Sequence, residues 1–155
     1  MSTFYMMVGL PASGKSTVAK ELGGIVRSSD ELREELLGNV EDMKHNTEIF
    51  TVLQSLIRAD LYNGRDAVYD ATNLKASYRV EFLNSLKLLQ CKKVCVFVDT
   101  PVKLCDKWNE SRERTVPKEA MDRMKRFLQA PEFNEGWDEI RVIYNKEDKE
   151  DGGDR

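Results

Sequence analysis

Two glycines, a lysine and two adjacent hydroxyls fall in one short run, Gly9-Leu10-Pro11-Ala12-Ser13-Gly14-Lys15-Ser16-Thr17. The run fits G-x-x-x-x-G-K-S/T with no mismatch, which is the spacing of a phosphate-binding loop. The residue types suit the task. Gly9 and Gly14 are expected to allow backbone shapes closed to residues that carry a β-carbon. Pro11, Ala12 and Ser13 complete the turn, whose successive N–H groups would then converge on an anion at a helix N-terminus. Lys15 can reach the outer phosphates, and the Ser16 hydroxyl is a hard oxygen ligand for Mg²⁺. Thr17 adds a hydrogen bond to an inner phosphate. A nucleoside triphosphate, ATP or another, is the ligand this run predicts.

Such a loop needs a strand before it and a helix after it. Phe4-Tyr5-Met6-Met7-Val8 is apolar and short enough for a buried parallel strand. Ser16 to Leu22 is compatible with a helix stopped by Gly23-Gly24. Further along, the pattern predicts strands at Ile25–Ser28, Ala67–Asp70, Lys93–Asp99 and Glu139–Tyr144, with a first strand at Thr3–Val8. Helices are expected over Asp30–Leu37, Thr47–Tyr62, Ala76–Leu89, Thr100–Ser111 and Lys118–Gln129. In the second of these, Ile49, Leu53 and Leu56 with Phe50, Ile57 and Leu61 form the apolar stripe. Strands alternating with helices imply a parallel sheet covered on both faces. Ligands of such sheets gather at the carboxyl ends of the strands, so the polar residues at those ends are the candidates.

Asp70 ends the third strand. It can hold Mg²⁺ through water opposite Ser16, or cap the following helix. Thr72 and Asn73 are either hydrogen-bonders of the site or turn formers. Asp30 follows the second strand. Phosphate transfer to an alcohol needs a carboxylate that accepts the hydroxyl proton, and Asp30 is at a suitable end; the alternative is that it caps a helix. Arg33, three residues on and on the same face, can hold an acceptor's phosphate or stand as a solvated charge. Arg112 and Arg114 lie between two helical segments, the second opened by Val116-Pro117. They read either as a lid bringing guanidinium groups to a triphosphate or as a solvent-facing basic turn. Tyr144-Asn145, at the last strand end, is the candidate for the nucleobase. Lys44 and His45 read as surface residues of a loop.

The whole chain sets bounds. Its 155 residues are enough for one domain with a core. A third of the residues are charged, ordinary for a globular protein. No apolar run approaches the roughly 20 residues of a membrane span, and the chain enters a strand at once, so no signal peptide is expected. Cys91, Cys95 and Cys105 form no C-x-x-C pair and read as reduced thiols of a cytoplasmic protein. A zinc site is disfavoured, because the lone His45 is distant and a fourth ligand is missing. The net charge of −3 argues against a non-specific coat on nucleic acid. Between Pro101 and Ala130, however, eight basic residues face five acidic ones, while from Asn145 to Arg155 three face five. Positive charge is therefore concentrated where a polyanion can be held.

Taken together, these blocks resemble the kinase module of the bacteriophage-type polynucleotide 5′-hydroxyl kinase family, within the adenylate-kinase-like P-loop kinases. The resemblance runs through the glycine loop, then Ser29-Asp30-Glu31-Leu32-Arg33, then Asp70-Ala71-Thr72-Asn73-Leu74 with Arg79 beyond it, then Asn109 to Pro117. Ala71 separates Asp70 from Thr72, whereas the phage pattern places its acid directly before Thr-Asn. The resemblance implies a three-layer α/β P-loop NTPase fold with a five-stranded parallel sheet and a helical lid at about residues 109–130. It implies one kinase domain over residues 1–155, with a frayed acidic tail from about residue 146. It further implies that Asp30 is the general base and that Lys15 and Arg112 act on the moving phosphate. Arg112 and Arg114 would contact the donor, Ser16 and Asp70 would serve Mg²⁺, and Arg33, Asp70, Thr72, Asn73 and Arg79 would hold the acceptor. The function so implied is transfer of the ATP γ-phosphate to the 5′-hydroxyl of DNA or RNA. Related P-loop kinases phosphorylate small alcohols on much the same scaffold, so a nucleoside, sugar or antibiotic is the rival acceptor. A nucleotide-binding switch without an acceptor is the non-enzymatic rival.

Overall fold

The structure is a computed structural model that describes residues 1–113 and 115–146. Arg114 and the acidic tail beyond Lys146 therefore lie outside the described residues. Five strands form one parallel sheet: β1 (Ser2–Val8), β2 (Ile25–Ser28), β3 (Ala67–Asp70), β4 (Cys91–Asp99) and β5 (Glu139–Tyr144). Their spatial order is β2-β3-β1-β4-β5. The chain builds one side of β1 first and then the other, and the crevice of such a sheet opens where the direction reverses, at the end of β1. The phosphate loop leaves from that end. Pairing of Ser28 with Asp70 and of Asp99 with Tyr144 brings the ends of the outer strands into line.

Alternation along β1 explains the two layers of helices. Phe4, Met6 and Val8 face one side, where they meet Ile49, Leu53 and Ile57 of α3 (Asn46–Tyr62) and Phe82 of α4 (Ala76–Asn84). Met7 faces the other side, against Ala19 of α1 (Lys15–Glu21) and Val68, Val94, Val96 and Val98. Side chains of a strand point alternately to opposite faces, so one short apolar run serves both layers. A third, smaller cluster of Leu10, Leu74, Cys105 and Met121 seats α5 (Val102–Glu110) and α6 (Lys118–Phe127) over the loop. No helix among the described residues is long and apolar enough to cross a membrane.

The helix expected to reach Leu89 stops at Asn84. Residues 85–89 continue as tighter turns, with Ser85, Leu86 and Lys87 N–H donating to Phe82, Leu83 and Asn84 carbonyls. The Ser85 hydroxyl also donates to the Phe82 carbonyl at 2.6 Å, competing with the helical pattern. Leu86 stays fully buried while Leu88 turns out to solvent.

Arg79 requires a correction. Its spacing after the Thr72-Asn73-Leu74 block suggests a hand on the acceptor, but its side chain is fully buried. Nε and Nη2 donate to the two oxygens of Glu135 at 2.8 and 2.9 Å. Nη1 donates to the carbonyls of Asn73 and Leu74. Glu135 also accepts from Trp137 Nε1 and from Glu132 N–H. Arg79 thus ties the turn after β3 to the short 3₁₀ segment Phe133–Glu135. Asn73 is likewise a turn former. Its φ of 47° is left-handed, and its side chain donates to the Met7 carbonyl at 2.8 Å.

Burial alone would raise the Glu135 pKa, but hydrogen bonds from Arg79 and Trp137 outweigh it and hold the carboxyl below its usual range. A depressed carboxyl contributes stability above its unfolded pKa and loses it as pH falls through the folded one. Arg79→Ala is expected to cost about 3–5 kcal/mol by leaving Glu135 buried and unpaired. Urea unfolding at neutral and at acidic pH checks this. The gap between wild type and variant should narrow as pH drops below the ordinary glutamate range, and a small, pH-independent gap contradicts the account.

Candidate active site

The loop is shaped by close packing as much as by backbone freedom. Gly14 has φ 93° and Ala12 has φ 62°, so two left-handed residues alternate with ordinary ones, the pattern that turns N–H groups inward. Gly9 is different. Its φ is not left-handed; a Cβ there would meet Ser13 Oγ at 2.9 Å and the Val98 carbonyl at 3.0 Å. Glycine is needed at Gly9 for space, which corrects the expectation that it lends conformational freedom. The loop is also tied from outside. The Ser13 carbonyl accepts from Thr100 Oγ1 at 2.7 Å and from Asn145 Nδ2 at 3.1 Å. Asn145 Nδ2 also donates to Thr100 Oγ1. Asn145, expected at the nucleobase, spends its amide on holding the loop.

Ser16 Oγ donates to Asp70 Oδ2 at 2.9 Å, joining the loop's hydroxyl to the carboxylate that ends β3. Asp70 is buried, and no residue of α4 uses it as a cap; the Lys75 cap position of α4 has no side-chain bond. Lys15 lies beside this pair. Burial is the strongest influence on its ammonium and lowers its pKa; Asp70 and then Asp30 pull the other way, and Arg112 adds to the lowering. Four charged groups therefore act on one another across the loop.

Opposite stands α2 (Ser29–Leu37). Its cap is Ser28, whose Oγ accepts from Glu31 N–H at 3.2 Å. Asp30 is thus released from the capping alternative, and its side chain stays half exposed. Arg33 is not a solvated charge either, being only 3% exposed. Its Nη1 donates to Asp30 Oδ1 at 3.0 Å and its Nη2 to Asn46 Oδ1 at 2.8 Å. Its Nε is buried with no partner.

One open cavity of about 940 Å³ joins these groups. Residues 11–17, Asp30, Arg33, Asp70, Thr72 and Arg112 all line it. Gly9, Asn73 and Arg79 do not. The expected lid falls at the bend between α5 and α6. There Asn109 exchanges two hydrogen bonds with the backbone of Val116, both at 2.9 Å. Trp108 and Arg112 reach the cavity from this side. Sequence reasoning missed several walls: Glu41 and Met43 from the loop before α3, Asn46 and Phe50 from α3, and Arg123 and Met124 from α6. Phe50 reads as a buried stripe position, and nothing local marks its second exposure.

A family profile described as an AAA domain, AAA_33, matches residues 4–131, most of the chain and every residue that lines the cavity. The chain belongs to this family. Among curated proteins, this AAA_33 chain is 26% identical over 142 residues to an L-seryl-tRNA(Sec) kinase of Methanococcus maripaludis, covering 86% of the chain and 55% of that protein. It thus spans about half the length of that relative. Among solved structures it is similar to Kti12 of Chaetomium thermophilum in complex with ADP-AlF3, with 15% identity, TM-score 0.75, and coverage of 95% of this chain and 92% of that one. It is also similar to a chain of the Pnkp1/Rnl/Hen1 RNA repair complex, with 23% identity, TM-score 0.63, and coverage of 83% and 44%. These likenesses share the P-loop α/β fold.

The donor set fits Mg²⁺ in kind. A hydroxyl and a carboxylate, both hard oxygens, meet beside the anion nest. Among the described residues no group of three or more His, Cys, Asp or Glu forms a protein cage, and Mg²⁺ in phosphate sites is held by one or two carboxylates plus phosphates.

The lowered Lys15 pKa means that the unfolded chain binds this proton more tightly than the fold does. Stability of the ligand-free AAA_33 chain should rise as pH climbs through the lowered pKa toward the ordinary lysine value. Lys15→Met removes the buried charge and is expected to leave the ligand-free Tm unchanged or higher at neutral pH. The same variant should lose the rise in Tm that excess MgATP gives the wild type. Thermal unfolding with and without MgATP checks both halves, and a retained MgATP shift in the variant overturns the role given to Lys15.

Proposed function

We propose that this chain is an ATP- and Mg²⁺-dependent phosphotransferase whose acceptor is a hydroxyl on a polynucleotide, its 5′ end foremost. The observation that carries this reading is the placing of Asp30. Its half-exposed carboxylate faces the same cavity as the phosphate loop, is held by a buried arginine, and is near enough to bear on Lys15. A nucleotide holder has no use for a base in that place. The names of the L-seryl-tRNA(Sec) kinase and of the RNA repair complex support an acceptor tied to nucleic acid. Three reduced, buried cysteines suit a cytoplasmic setting.

In this reading the triphosphate lies on the N–H groups of residues 12–17. The acceptor hydroxyl sits between the γ-phosphate and Asp30, which takes its proton. The hydroxyl oxygen forms a bond to the γ-phosphorus as the bond to the β–γ bridging oxygen breaks, and ADP leaves. Mg²⁺ beside Ser16 and Asp70 would neutralise charge on the β and γ oxygens. Lys15 and Arg112 stabilise the charge that shifts during transfer. Arg33 orients Asp30 with one arm of its guanidinium, and its unpartnered Nε is the donor left over for an anionic group of the acceptor. Thr72 lines the acceptor side.

A small alcohol is the second reading. The acidic net charge and the Glu41 carboxylate on the cavity wall favour a less anionic acceptor than a strand. Transfer from labelled ATP to a 5′-hydroxyl oligonucleotide, a nucleoside panel and a sugar panel separates the two. Label on the strand is expected; label on small alcohols alone rejects the polynucleotide. Asp30→Asn should lower kcat by about a hundredfold or more while leaving ATP affinity within about twofold. Arg33→Ala should raise the acceptor KM as well as lower kcat, since it removes both the orienting bond and the spare donor. An Asp30→Asn protein with near wild-type transfer would end the role of Asp30 as the base.

A further inference from the structure

Beyond the cavity, the start of α4 and the end of α6 enclose a second concavity of about 350 Å³. It contains Lys75, Arg126, Phe127 and Gln129, and no acidic residue among the described ones lines it. Its walls are stitched together. Gln129 Oε1 accepts from Ala76 N–H at 2.7 Å, and Gln129 N–H donates to the Leu74 carbonyl at 2.9 Å. The Lys75 ammonium lies 4.3 Å from the centre of the Phe127 ring and 5.3 Å from that of Tyr78. Both rings are exposed, Tyr78 by 62% and Phe127 by 41%.

Two aromatic rings thus turn to solvent beside one cation, on a chain of net charge −3. The acids of α6 do not cancel them. Asp122 pairs with Lys125, and Lys125 also pairs with Asp106. The patch is continuous with the cavity along the chain. Thr72 lines the cavity and Lys75 the patch; Arg123 and Met124 line the cavity and Arg126 and Phe127 the patch. Three residues of helix advance about 4.5 Å, less than the spacing of successive phosphates in an extended strand.

We infer that this surface binds single-stranded polynucleotide, carrying the strand away from the cavity. Cations would track the phosphates while Tyr78 and Phe127 offer faces to the bases, the combination that holds single strands without reading sequence. Duplex lacks exposed base faces and gains only the charge term. The inference rests on the polynucleotide reading of the cavity, and it adds a site that lies outside the reacting groups.

The test measures binding and transfer separately, using the full chain. Fluorescent single strands of about twelve nucleotides, already 5′-phosphorylated so that no transfer can occur, are titrated by anisotropy. Lys75→Glu/Arg126→Glu is expected to weaken binding by about tenfold or more and to flatten the salt dependence by about 1.4 in log–log slope, for two lost phosphate contacts. Arg126→Glu alone, at an exposed position, should move both in the same direction. ATP affinity and transfer to a dinucleotide should stay within about twofold, since these charges bear on the strand beyond the first phosphates. Equal strand affinity in wild type and variants, or no strand binding by the wild type, overturns the inference. Strand binding that the variants lose, without transfer to any oligonucleotide, upholds this surface and instead rejects the polynucleotide as acceptor.

Discussion

The site turns on a lysine cation held where burial disfavours it. Enclosure by the loop works against the Lys15 ammonium, and Asp70 and Asp30 act most strongly in its favour. Those two carboxylates come from different strand ends, β3 and the β2–α2 junction, so the sheet register is an electrostatic requirement as well as a packing one. Ser28 pairs with Asp70 across β2 and β3, which puts both acids on the same side of the loop. A triphosphate would bring further anions to Lys15, and its binding energy would come partly from relieving this tension.

The loop itself has few internal bonds, Ser13 N–H to the Leu10 carbonyl being one, because the N–H groups that would meet a ligand cannot also be spent on folding. Its rigidity is borrowed from neighbours. Thr100 and Asn145 hold the Ser13 carbonyl, Gly9 packs against Val98, and Gly9 N–H donates to the Thr72 carbonyl. The turn that provides Thr72 is fixed in turn by Arg79 and Glu135. A chain of contacts thus runs from the 3₁₀ segment near the C-terminal end of the sheet to the anion nest. Apart from the bonds of Arg79 to the turn, these links join residues far apart in sequence, so the site exists only when the whole sheet has formed.

That separation decides what the sequence could disclose. The glycine loop, the five strands and the shared face of Asp30 and Arg33 are local patterns, and spacing alone reveals them; the hydrogen bond between the two is not among them. Asp70 is legible because strand ends are legible. Arg79 misleads because its partner, Glu135, lies 56 residues away, and an arginine near a site motif looks the same whether it meets substrate or a buried carboxylate. Asn145 misleads in the same way, since its bond to Ser13 spans 132 residues. The capping of α2 is a subtler case. Ser28, Ser29 and Asp30 are all good caps, and only the structure shows that Ser28 takes the role and leaves Asp30 to the cavity.

The walls around Asp30 explain why a carbon-bearing acceptor suits this cavity better than water does. Its floor is polar, made of the loop, Asp70 and Arg33. Its sides include Met43 and Phe50 on one bank and Val116, Ala120 and Met124 on the other. Open to solvent, these side chains leave Asp30 half hydrated and the field between Asp30 and Lys15 screened. An acceptor with its own apolar body would cover them, expel water from between the charges and strengthen every interaction there. Water alone cannot do this, so the site would be least effective with water as nucleophile. The bend between α5 and α6 adds to this: Asn109 ties the Val116 backbone to the end of α5, which holds Ala120 and Met124 at the cavity wall that such an acceptor would cover.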